Sequence, residues 1–156
     1  MVAAAFYPGP QRPMLAAQLR LASEVSHQVV FDYLRERGFV DLRQSHFDLF
    51  RFPGPHGLTP TQLAAHVGLS KQALNPLINE LESLGYLTRV NDQMDRRIRI
   101  LQLTARGLDL VTTIRDALDS LEARALARLG AKRYQHLVEA IAEIRTFTEP
   151  NHSARI

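Results

Sequence analysis

Residues 58–107 read LTPTQLAAHVGLSKQALNPLINELESLGYLTRVNDQMDRRIRILQLTARG, and the fold follows from the periods within them. Thr59-Pro60-Thr61-Gln62 is a helix start, with threonine at the cap, proline at the first position and glutamine at the third. Leu63, Ala64 and Val67 line one side of that short helix, and Gly68-Leu69 turns the chain. Ser70 can cap a second helix, whose apolar stripe is Leu74, Leu77, Ile78, Leu81 and Leu84. Gln72, Asn75, Asn79 and Glu82 occupy its opposite face, and Gly85 is placed to stop it. Two short helices joined by a glycine-containing turn form a helix-turn-helix. The period then changes to two. Tyr86–Val90 and Arg97–Ile100 read as strands joined by the polar connection Asn91–Arg96, so a hairpin follows the helix pair.

Outward from this segment the chain is helical. Leu15, Leu19, Ala22, Val25, Val29 and Tyr33 give one face of a long helix from Met14, with Gly38 as its stop. Asp41 is expected to cap a further helix carrying Leu42, His46, Leu49 and Phe50, ended by the turn cluster Pro53–Gly57. Thr104 can cap a helix striped by Leu108, Val111, Ile114, Leu118, Leu121 and Ala125, up to Gly130. A last helix is striped by Leu137, Ile141 and Ile144. The fold class is therefore mainly α with a minor β-hairpin: a winged helix-turn-helix over 39–104 between helical flanks at 14–38 and 105–148. Three prolines among the first 13 residues suggest an extended arm, and 149–156 suggest a frayed end.

The chain has 156 residues, enough for one compact domain or two interlocked halves. It holds no cysteine, which excludes disulfides, cysteine metal sites, a thiol nucleophile and thiol redox switching. Its six histidines are scattered, with no metal-ligand spacing, and no cofactor is expected. There is no phosphate-cradling glycine loop, nucleophile elbow or HExxH, so an enzyme is not expected. The start lacks a basic region and no apolar run is long enough to span a bilayer, which makes a cytoplasmic protein the expectation.

A helix-turn-helix with a hairpin suits duplex DNA: the second helix enters the major groove and the wing reaches an adjacent minor groove. Lys71, Gln72, Asn75 and Asn79 are the base-edge candidates, since amides can bond adenine and lysine can bond guanine or phosphate. On the wing, Arg96, Arg97 and Arg99 fall within four residues, with Arg89 on the partner strand. Net charge argues little. The whole chain carries +3, and Leu58–Thr104 has five cationic residues against four acidic ones. A polar helix face is ordinarily just solvated, so a winged helix used for protein contact, with no operator of its own, stays open. Pro76 allows two outcomes: a helix that kinks but continues, or one that starts there with Asn75 as cap. The unbroken stripe from Leu74 favours the first.

The stretch 58–107 also resembles the multiple-antibiotic-resistance regulator (MarR) family of transcription factors. The matching features are "LA" in the first helix, "LSK" entering the second, "LESLGYLTR" into the wing, "DRR" at its tip and "LTARG" after it. The resemblance implies a homodimer, with the flanking helices packed on their two-fold mates, that binds a pseudo-palindromic operator on double-stranded DNA, as repressors do. It implies that Asp95 orients Arg97 for the minor groove, the alternative being an ordinary surface ion pair. Ser70 falls within the matched "LSK", and Arg99 matches a basic position that would touch phosphate. It also implies a small aromatic or anionic effector between the dimer helices and the winged domain. His27, His46, Phe50 and Arg51 are the candidates, against the reading that the phenylalanine belongs to the core and the histidines bond backbone or water.

Overall fold

The computed structural model describes residues 14–50 and 54–148. The expected arm at 1–13, the expected frayed end at 149–156 and the candidate Arg51 lie outside them.

Helix α1 spans Leu15–Glu36 and is followed by α2, Gln44–Phe47, which runs into a 3-10 turn, Asp48–Phe50. Helices α3, Pro60–Val67, and α4, Lys71–Ser83, form the helix-turn-helix. Strands β1, Leu87–Asn91, and β2, Arg99–Leu103, form the antiparallel wing, with Leu87 opposite Leu103 and Asn91 opposite Arg99. Helices α5, Ala105–Leu129, and α6, Ala131–Thr148, complete the described chain.

The helix-turn-helix forms for the reasons its sequence carries. Thr59 Oγ1 accepts from the Gln62 amide at 3.2 Å while the Gln62 side chain accepts from the Thr59 amide at 2.8 Å, a reciprocal cap. Gly68 adopts φ +71°, a conformation that lets the chain leave α3 at no side-chain cost. Ser70 Oγ accepts from the Ala73 amide at 3.2 Å and starts α4. Leu74, Ile78 and Leu81 of α4 are fully buried against Leu34 of α1, Leu49, Leu63 of α3, Leu101 of β2 and Leu110 of α5. Helix α4 runs through Pro76, so the continuous helix is the one formed.

Three expectations need correction. Asp41 does not cap the second helix. That helix begins at Gln44, where the Arg43 amide donates to His46 Nδ1 at 3.2 Å, and the Asp41 carboxylate is engaged elsewhere. The second strand is displaced from 97–100 to Arg99–Leu103. Asp95 holds the amides of Arg97 and Ile98 in a turn, through its side chain and its carbonyl at 2.9 Å each, while Leu101 goes fully buried and draws the ladder onward. Tyr86, expected to begin the first strand, precedes it instead and is buried.

The core occupies only part of the helices. In α1 the buried residues are Val30, Phe31 and Leu34, and in α5 they end at Ala117. Beyond that core, Leu15, Leu21 and Val25 of α1, Leu118 and Leu126 of α5, and Leu137, Val138 and Ile141 of α6 are exposed. None of the described side chains of α6 is buried. Among the described residues, no helix is long and apolar enough to cross a membrane.

Candidate nucleic-acid interface

The exposed end of α4 begins at its cap. Lys71 and Gln72 stand in solvent on the first turn and Asn75 is half-buried one turn on. The first-turn amides and the helix dipole make this end partially positive, which suits an anionic partner. The Ser70 hydroxyl is committed to the cap, and the residue is exposed. Pro76 is exposed beside Asn75, one turn on from Lys71 and Gln72.

Asn79 lies farther along α4 and behaves differently. Its Oδ1 accepts from Arg89 Nη2 at 2.8 Å, and Arg89 Nη1 donates to the Glu82 carboxylate. The wing strand is thereby tied to the face of α4, and Asn79 and Arg89 are held by each other.

The wing tip is a tight polar turn. Asp92 Oδ1 accepts from the amides of Met94 at 2.8 Å and Asp95 at 3.0 Å. Asp95 Oδ1 accepts from the Arg97 amide at 2.9 Å, so its carboxylate holds the arginine's backbone and not its guanidinium. Among the described residues, the guanidinium groups of Arg96, Arg97 and Arg99 take no hydrogen-bond or ion-pair partner. Three cationic side chains thus project from a fixed turn, beside Met94, which is 96% exposed.

A cluster that sequence reading missed lies at the root of the wing. The Tyr86 hydroxyl donates to Asp41 Oδ1 at 2.6 Å, and Arg106 Nη2 donates to Asp41 Oδ2 at 2.9 Å. The Arg106 guanidinium also lies over the Tyr86 ring, 4.3 Å from its centroid. Burial works to raise the Asp41 carboxyl, but the bonds from Tyr86 and Arg106 hold it below its ordinary value. Burial, reinforced by the facing carboxylate, pushes the Tyr86 hydroxyl upward, so it stays a donor. The only sequence signal was the presence of Tyr86 and Arg106 in the "GYLTR" and "LTARG" runs.

The three effector candidates among the described residues serve different tasks. His46 is fully buried: Nδ1 accepts from the Arg43 amide, which leaves Nε2 to donate to Glu80 of α4 at 3.1 Å. Arg43 pairs with the same Glu80 carboxylate. His27 sits edge-on to Phe47 with centroids 5.7 Å apart, and its Nδ1 is 3.3 Å from the side-chain Nε2 of Gln44. Phe50 is buried and lines a cavity of about 430 Å³ with Pro55, His56, Leu103, Ile114 and Leu118. No group of three or more His, Asp or Glu that could hold a metal occurs among the described residues.

A helix pair whose second member has an exposed, capped N-terminus, followed by an arginine-tipped hairpin, defines a winged helix-turn-helix protein. A family model described as MarR family matches residues 41–98, the segment from Asp41 through the wing tip. It is 30% identical over 88 residues to the HTH-type transcriptional repressor Rv2887 of Mycobacterium tuberculosis, a match covering 56% of this chain and 63% of that protein. The chain spans between 24% and 63% of the length of the curated relatives it matches, which include a riboflavin kinase of Thermoplasma volcanium at the lower figure. Among solved structures, the fold is similar to that of MepR of S. aureus in complex with DNA, with TM-score 0.68 and 19% identity over 86% of this chain and 98% of that one. It is also similar to CouR of Rhodococcus jostii RHA1 bound to p-coumaroyl-CoA, with TM-score 0.66 and 20% identity over 88% and 93%.

Proposed function

We propose that the protein is a DNA-binding transcriptional regulator, a repressor, that binds a pseudo-palindromic operator as a homodimer. The observation that carries this reading is the pairing of an exposed N-terminal turn on α4 with a fixed wing tip bearing Arg96, Arg97 and Arg99 without carboxylate partners among the described residues. An arginine without a partner at the end of a hairpin is available to phosphate or to a minor groove. In this reading Ser70, Lys71, Gln72 and Asn75 face the major groove, Arg96, Arg97 and Arg99 serve the wing, and Asn79, Arg89 and Asp95 act by holding its geometry. The DNA in the MepR complex supports the class of partner.

The homodimer rests on the exposed apolar residues of α1, α5 and α6, an array that a second copy would cover. The flanks 14–38 and 105–148 would then be the dimerisation region and 39–104 the DNA-binding domain. A small-molecule effector is the reading for the cavity beside Phe50, between the turn before α3 and α5. The p-coumaroyl-CoA carried by CouR supports an aromatic or anionic class.

Selection of bound duplexes from a random pool at physiological salt tests the whole. One recovered inverted repeat, bound with a steep loss of affinity on adding salt, is expected. Recovery of no sequence, with and without candidate aromatic acids, would replace this reading with a winged helix that contacts protein.

A further inference from the structure

The start of α5 docks onto the turn that leaves α4 through three residues, Thr104, Arg106 and Gly107. The Thr104 amide donates to the Tyr86 carbonyl at 3.1 Å and Thr104 Oγ1 to the Gly85 carbonyl at 2.5 Å. Arg106 Nη1 donates to the Leu84 carbonyl at 2.6 Å. At Gly107 an added Cβ would stand 2.1 Å from the Tyr86 carbonyl oxygen, so backbone meets backbone with no room between. Asp41 closes the assembly from the other side: each of its oxygens takes one donor, the Tyr86 hydroxyl and the Arg106 guanidinium. Asp41 belongs to the connection from α1, Tyr86 to the wing root and Arg106 to α5. One carboxylate therefore fixes three separate segments at the point where the winged domain joins the long helices.

That position gives leverage. Helix α4 runs back from this joint for 13 residues, about 20 Å, to the exposed turn with Lys71 and Gln72. A rotation of about 10° at the joint moves that turn by about 3.4 Å, the rise of one base pair. Charge-assisted bonds with planar partners hold direction as well as distance, and are suited to removing that freedom.

We propose that Asp41, Tyr86 and Arg106 are positioning residues: they form a polar joint that sets the angle of the recognition helix on α5 and so the spacing of operator half-sites the dimer accepts. The proposal rests on the reading of the protein as a DNA-binding dimer.

The test uses the full chain and the inverted repeat recovered by selection, with half-sites moved together or apart by one and two base pairs. The wild-type protein should lose about tenfold in affinity at the first step, the scale of one mismatched contact. Tyr86→Phe, which keeps the buried ring, and Arg106→Gln should bind the best spacing more weakly and flatten the profile to within about threefold across steps, with base preference inside each half-site unchanged. Thermal unfolding and light scattering check fold and dimer, and Tyr86→Phe alone decides if Arg106→Gln fails to fold. A wild-type spacing profile in a folded Tyr86→Phe, or an equal loss at every spacing, overturns the joint while leaving the DNA-binding reading intact. Absence of any preferred duplex for the wild type removes that reading and the joint with it.

Discussion

Arg89 of β1 reaches across to α4, where its Nη2 lies 2.8 Å from Asn79 Oδ1 while Nη1 bonds Glu82. The wing's one arginine on the first strand is thus bound to α4 and braces it. The pair with Glu82 is about a quarter exposed on each side and so is only partly screened.

Arg89→Ala should lower stability to urea by about 1 kcal/mol, the worth of a partly exposed charged hydrogen-bond pair. It should weaken DNA binding while leaving the dependence on salt unchanged. Were Arg89 a phosphate contact, the slope of log affinity against log salt would fall by about 0.9. Titrations at four salt concentrations separate the two.

Asp95 supports the wing through the Arg97 amide, and an asparagine could accept the same hydrogen bond. Asp95→Asn should therefore bind operator within about twofold of wild type, whereas Asp95→Ala, lacking one hydrogen bond worth about 1 kcal/mol, should bind about fivefold more weakly. Equal losses in the two variants would indicate that the carboxylate charge acts on the guanidinium instead.

What was legible in the sequence was whatever depended on neighbours in the chain. The Thr59–Gln62 cap, the Ser70 cap and the stripe Leu74–Leu81 are local, and the structure forms each of them. What depended on distant partners was not. An aspartate before a helical pattern reads as a cap, and nothing near Asp41 announces that its donors lie 45 and 65 residues away. His46 likewise looked like a ligand candidate, because its partner Glu80 is 34 residues distant. The second strand slipped for a related reason: the alternation Arg97–Ile100 is real, but Asp95 turns its first two amides out of the ladder and Leu101 takes the core.

The Asp41 carboxyl is held below its ordinary value of 3.8 in the folded protein, so the unfolded chain takes up the proton first as pH falls. Its contribution is complete above that value and is lost as pH drops below it, through the depressed folded value. Urea unfolding of wild type and Asp41→Asn, followed from neutral pH down through the ordinary value of 3.8 and below it, should show a constant gap at neutral pH that narrows on acidification. A gap that widens in acid would reverse the assignment.

Gly107 offers a sharper structural test, because the side chain it lacks would fall on backbone and not on a movable neighbour. Gly107→Ala should destabilise the protein by about 2–4 kcal/mol despite alanine's better helix propensity, since α5 must lift from the wing root. The denaturation midpoint measures this directly, and a midpoint at or above wild type would mean the contact is looser than the geometry indicates.

Pro76 sits at the sixth position of α4 and denies the Gln72 carbonyl its helical donor, while its ring crowds that carbonyl. An interior proline costs about 3 kcal/mol, offset by about 1 kcal/mol because proline also restricts the unfolded chain. The Gln72 carbonyl belongs to an exposed residue that water can reach, which reduces the cost further. Pro76→Ala should therefore raise stability by about 1–2 kcal/mol in urea. Its effect on DNA should be separate and larger, because relieving the ring realigns the first turn, with Lys71 and Gln72, against the rest of the helix. A variant that is more stable yet shifted in operator preference would show that the proline holds the reading end of α4 at a particular tilt. A variant more stable with the same preference would place that turn away from the bases.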